Sequence, residues 1–148
     1  MRKLLACVVV FSLSALIAVA GGEKKKAAPK IEGSWTGIEI IVEGKKVPKE
    51  AFDDLMYKLV FKDGKYNESV KGMETEAGTY TIDATKNPIT IDYTVVSEGE
   101  AKGKIQLAIL KVEGDNLTIA LAKHGSKDRP KNFDGSDDFT VVTLKRNK

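Results

Sequence analysis

The chain has 148 residues, 42% hydrophobic and 30% charged, with a formal net charge of +3, a single cysteine and a single histidine. A charge so near balance removes the electrostatic case for a nucleic-acid partner. With only Cys7 and His124 available, a serine or cysteine triad, a disulfide framework and a zinc cage are all close to excluded, and no catalytic residue, metal or cofactor is expected.

Met1-Arg2-Lys3 precedes an uncharged run from Leu4 to Val19, and Ala18-Val19-Ala20 stands before Gly21-Gly22-Glu23. A basic start, an apolar core and a small-residue site together read as a secretory signal peptide over residues 1–20, cleaved after Ala20. The run is short of the roughly 20 residues that cross a bilayer, so no stable membrane span is expected after cleavage. Losing Arg2 and Lys3 takes the net charge from +3 to +1, and Cys7 leaves with the peptide. The mature chain is expected to be exported, to the periplasm, cell envelope or exterior, and to be a monomer stabilised by packing alone. Lys24-Lys25-Lys26 lies in a polar segment from Gly21 to Lys30 that reads as a flexible tether, ahead of one domain over residues 31–148.

Alternation of apolar and polar residues begins at Gly33-Ser34-Trp35 and runs through Ile38, Ile40 and Val42, until Glu43-Gly44-Lys45-Lys46 turns the chain. The stretch Val47 to Met56 breaks that period. Pro48 can open a helix, and Phe52, Leu55 and Met56 recur at i, i+3 and i+4, so one short helix is expected to cover an end or side of the sheet. Tyr57–Lys62 and Lys65–Val70 alternate again across the tight turn Asp63-Gly64, which predicts an antiparallel hairpin. A fourth strand is expected from about Met73 or Glu74 to Ile82. Its partner, Ile89 to Val96, follows a loop in which Asp83 and Asn87 can bond their own backbone. Beyond the loop Ser97–Gly103, a sixth strand from Lys104 to Val112 is apolar on both faces, as expected of a strand partly covered from outside. Gly114-Asp115-Asn116 turns into Leu117–Ala122, a polar connection spans Lys123–Asp137, and Asp138–Arg146 is the last strand.

Eight short antiparallel strands with mostly short connections favour an up-and-down barrel, because closure removes the edges that would otherwise aggregate. A two-sheet sandwich is the runner-up. Eight is also a strand number whose interior can be filled by side chains or can hold one small ligand.

Gly33-Ser34-Trp35 on the first strand, with Arg146 near the end of the last, resembles the lipocalin arrangement in which a first-strand Gly-x-Trp packs against a late arginine. A cation over an aromatic face at the closing seam is worth about 0.5 to 2 kcal/mol. The ordered set of Gly33-Ser34-Trp35, Gly78-Thr79-Tyr80-Thr81-Ile82-Asp83, Asn87-Pro88-Ile89-Thr90-Ile91-Asp92, Lys111-Val112-Glu113-Gly114-Asp115-Asn116-Leu117, Arg129-Pro130-Lys131-Asn132-Phe133 and Leu144-Lys145-Arg146 resembles the small lipocalin-like domain family found mainly in planctomycete bacteria. The resemblance spans about Ile31 to Arg146. It implies an all-β, antiparallel, eight-stranded lipocalin-like barrel with one short helix after the first strand, often exported, and implies no activity. The chain departs from the family at Ala120, where a cysteine is expected.

Two functional readings follow. In the first, the barrel binds a small apolar or amphipathic ligand in its lumen, with Tyr80, Ile91, Tyr93, Leu110 and Ile119 lining it and Arg129 with Phe133 clamping the mouth; Gly33, Trp35 and Arg146 are structural. In the second, the barrel is filled and acts as an interaction or structural module of the cell envelope. A connected void of a few hundred Å3 separates the first from the second. An enzyme would require two carboxylates converging inside a cleft. Tyr57, Tyr66, Tyr80 and Tyr93 can place hydroxyls in a lumen or simply pack. His124 reads as a solvated loop residue, Asp83 and Asp92 as turn and strand-end residues, and Asp134, Asp137 and Asp138 as an acidic loop for which calcium is the residual alternative.

Overall fold

The computed structural model describes residues 27–136 and 138–148. The expected signal peptide and most of the expected tether therefore lie outside the described residues, as does Asp137. The described chain forms strands β1 (Gly33–Val42), β2 (Lys45–Lys46), β3 (Lys58–Lys62), β4 (Lys65–Val70), β5 (Met73–Asp83), β6 (Ile89–Val95), β7 (Ile105–Glu113), β8 (Asn116–Ala122) and β9 (Phe139–Arg146), with one helix, α1 (Lys49–Asp53). Each strand from β3 to β9 pairs antiparallel with the next, β3 pairs with β1, and β1 also pairs with β9. The result is a closed antiparallel eight-stranded barrel with β2 as an extra strand hanging on β1.

The closing seam is the one expected. Trp35 stands opposite Arg146 in the β1–β9 register. The Arg146 guanidinium lies 4.1 Å from the centre of the Trp35 ring. It also donates to the carbonyls of Glu32, at 2.7 Å, and Lys30, at 2.6 Å. Trp35 Nε1 donates to the Ile31 carbonyl at 2.7 Å, so the chain entering β1 is folded back under the barrel with Ile31 as a buried plug. This end is the floor. The last residues of the expected tether are thus tied to it through Lys30.

At the opposite end, the mouth, the expected helix is reduced to the five residues of α1. Only Phe52 of the apolar triplet is buried; Leu55 is 37% and Met56 69% exposed. Met56 adopts φ 47, a left-handed backbone that ends the helical turn and swings the chain into β3 before a second turn can form. Phe52 fits because Gly37 carries no side chain: a Cβ there would stand 2.7 Å from the Phe52 ring. Lys45 and Lys46, expected within a turn, instead pair with Ile41 and Val42.

The polar connection after β8 crosses the outer wall as a strap over residues 123–136. Phe133 packs there against the cluster of Ile109, Ala120 and Val141, as does Ile41, and these four strand residues share one outward row across β1, β7, β8 and β9. That row explains why β7 is apolar on both faces. It also gives Ala120 a packing role on the wall.

Candidate functional site

Residues facing the axis follow from the registers. Phe61 pairs with Tyr66, Tyr66 with Gly78, Tyr80 with Tyr93, Ile91 with Ala108, Leu110 with Ile119, and Ile119 with Val142. Gly78 is required at its position, because a Cβ would lie 2.1 Å from the Thr94 carbonyl oxygen and 2.7 Å from the Tyr66 ring. Its absent side chain lets Tyr66 cross the lumen and meet Tyr93 edge-on, with ring centres 4.8 Å apart. Phe61 continues the arrangement, 5.1 Å from Tyr80 and 6.3 Å from Tyr93. Offset and edge-to-face aromatic pairs of this kind are favourable beyond the area they bury.

The lumen is consequently filled. Ile91, Tyr93, Leu110 and Ile119 all belong to the buried core, with Tyr80 packed against it. The space left inside, toward the mouth, is about 20 Å3. Ligand pockets usually enclose about 300 to 1,000 Å3, and about 10 to 15 Å3 suffices for a water molecule. The five inward residues expected to line a ligand cavity therefore come together, but mainly against one another.

Arg129 and Phe133 do not join them. Both sit on the outer wall, with the strap, and not at the mouth. Arg129 Nη1 donates to the strand carbonyls of Ala108, at 2.7 Å, and Ile91, at 3.3 Å. It also lies 2.6 Å from Asp92 Oδ1, close enough for charge pairing although the angle is not that of a hydrogen bond. The expected clamp is a strap anchor, because Asp92 faces outward between the inward Ile91 and Tyr93.

What fills the upper lumen was not anticipated. Continuing the inward alternation from Tyr66 gives Glu68, and stepping back from Gly78 gives Glu76; the two are direct partners across β4 and β5. Tyr57 donates to Glu68 Oε2 at 2.8 Å, Thr75 to Glu68 Oε1 at 2.8 Å, and Tyr66 to Glu76 Oε1 at 2.7 Å. His124 Nε2 is 2.8 Å from Glu76 Oε2, an ion-pair distance at an angle short of a hydrogen bond. The histidine is thus half-buried at the mouth beside a carboxylate and is not a freely solvated loop residue. Tyr93 is 3% exposed, and its hydroxyl has no partner among the described residues. It borders the 20 Å3 space together with Glu68, Glu76 and Gln106.

The phenols are locked in their protonated form. Burial, reinforced by the Glu68 carboxylate, pushes Tyr57 well above the ordinary phenol range. Burial and the bond to Glu76 push Tyr66 far up, and burial beside Tyr66 and Glu68 does the same for Tyr93. These hydroxyls are donors at any physiological pH. Chemically the cluster is two acceptor carboxylates held in place by neutral donors, with no space beside them for a substrate larger than water.

Elsewhere, Asp83 Oδ1 accepts from the Thr85 backbone at 2.9 Å and its hydroxyl at 2.5 Å, which is the expected turn bonding and lowers the Asp83 pKa. Asp134 accepts from the Ser136 backbone, and Asp138 pairs with Lys123 at 3.2 Å. Among the described residues, no group of three or more His, Cys, Asp and Glu side chains is placed to hold a metal ion. No helix among them is long and apolar enough to cross a membrane. No protein-family model matches the chain. No match to it is found among curated proteins either. The family resemblance accordingly rests on the motifs quoted above.

Proposed function

We propose that this protein is an exported, non-enzymatic, lipocalin-like barrel whose interior is a packed core and whose outer surface does its work in the cell envelope. The observation that carries the reading is the residual lumen of about 20 Å3, an order of magnitude below what a small organic ligand needs. The exposed large apolar residues support it. Ile38, Val42, Leu55, Met56, Met73, Val96 and Ile105 all lie on the mouth side, on upper β1, the turn after α1, the start of β5 and the adjoining ends of β6 and β7. Exposed apolar surface gathered on one side suits contact with a partner. Export is supported by the basic start, the apolar run Leu4–Val19 and the Ala18-Val19-Ala20 site.

A second reading keeps the small apolar ligand but moves it. A crevice of about 720 Å3 lies beneath the floor, lined mainly by Pro29, Ile31, Tyr80 and Ile82. Native mass spectrometry of the mature protein from its own host separates the two. The envelope-module reading predicts the bare polypeptide mass, without an organic adduct, and unchanged Trp35 fluorescence on titration with apolar probes. A co-purified molecule of several hundred daltons, lost in a Tyr80→Ala variant, would favour the crevice.

A further inference from the structure

The polar end of the lumen is unbalanced in two ways. Its acceptors outnumber the donors committed to them: among the described residues the two carboxylates receive the hydroxyl protons of Tyr57, Thr75 and Tyr66, while Gln106 Nε2 turns away to the Ala122 carbonyl at 2.8 Å. Its charge is also incomplete. Two carboxylates face each other across one strand pair, and among the described residues His124 is the one basic side chain at ion-pair distance from either, so it can offset at most one. Charges taken out of water are expected to be paired.

An independent observation points to a guest. The Tyr93 hydroxyl is buried, has no partner and borders a space of about 20 Å3 shared with both glutamates. A water-sized sphere fits that volume, and little else does. From the acceptor oxygens, the leftover negative charge and the volume, we infer that the upper lumen binds one small monovalent cation, of the ammonium or potassium class. Glu68, Glu76, the Tyr93 oxygen and Gln106 Oε1 are its ligands. The site goes beyond the envelope-module reading and does not depend on it: a barrel with any outer partner can carry it.

The test compares thermal unfolding of the full mature protein in chloride salts of potassium, ammonium and choline at equal ionic strength, the choline ion being too large for the space. The expected result is a midpoint about 4 °C higher in potassium or ammonium than in choline at salt concentrations near ten times Kd. That difference should vanish in Glu68→Gln, an isosteric change that still accepts from Tyr57, and shrink in Tyr93→Phe, which removes only the unpartnered oxygen. A rubidium-soaked crystal should show an anomalous peak between Glu68, Glu76 and Tyr93. Equal midpoints in all three salts would overturn the site, as would a gain that survives Glu68→Gln. So would a non-anomalous water in place of rubidium.

Discussion

The floor and the mouth of the barrel are made by the same strands, yet they solve opposite problems. At the floor, inward positions are Trp35, Phe61, Leu117 and Leu144, all essentially inaccessible, and Arg146 stays at the rim and lays its guanidinium on Trp35. At the mouth, the inward row changes after Tyr66, Gly78 and Tyr93 to Glu68, Glu76 and Gln106, and every tyrosine but Tyr93 spends its hydroxyl on a carboxylate or faces the barrel's edge. The floor is held by apolar contact area. The mouth is held by hydrogen bonds from neutral donors to its two carboxylates. Removing bulk should therefore be most damaging at the floor, and stripping a carboxylate of its donor most damaging at the mouth.

The largest effect should come from Trp35→Ala. Trp35 is 0% exposed at the seam, so the loss is expected to be about 3 to 5 kcal/mol in urea unfolding. Next is Gly78→Ala, which sits at the boundary between the two halves. The added methyl meets the Thr94 backbone as well as Tyr66, so about 2 to 3 kcal/mol is expected, with near-ultraviolet dichroism of the tyrosines reduced.

Alkaline pH separates the halves without mutation. Tyr57, Tyr66 and Tyr93 have raised pKa values, so the native state keeps its phenolic protons after the unfolded chain has lost them. Their contribution is intact below the unfolded value near 10 and is lost as pH climbs beyond it. The slope is up to about 1.4 kcal/mol per pH unit for a fully buried phenol. Unfolding midpoints should fall above pH 10, phenolate absorbance should rise together with unfolding, and Tyr93→Phe should make the decline shallower.

The smallest effects are the sharpest comparison. Tyr57→Phe strips Glu68 Oε2 of its donor and should cost about 1 to 2 kcal/mol. In choline chloride, Tyr93→Phe removes a hydroxyl without a protein partner and should stay within about 0.5 kcal/mol of the parent. Equal costs for the two substitutions would mean that the upper lumen is not organised as described.

Most of the fold was legible because it rests on local signals. The period-two runs, the Asp63-Gly64 and Gly114-Asp115-Asn116 turns and the Trp35–Arg146 pair each announce themselves within a few residues. The length of α1 did not, because Phe52, Leu55 and Met56 have helical spacing while the left-handed backbone at Met56 answers to the demands of β3. The mouth cluster was readable in principle: Glu68 is two residues beyond the inward Tyr66, and Glu76 two before Gly78. A charged residue on a strand is ordinarily assigned to solvent, and that prior hid both. His124, Arg129 and Phe133 lie on a long connection without periodicity. Only the closed barrel decides that the first meets Glu76 and that the other two lie on the wall.

The central claim is that side chains, and not a ligand, occupy the axis of the barrel. A crystal pressurised with xenon tests it most directly, since xenon enters dry apolar cavities and displaces nothing that is packed. The account predicts no xenon inside the ring of Phe61, Tyr93 and Leu110. A well-occupied xenon peak at that level of the axis would contradict it and reopen the lumen as a ligand site.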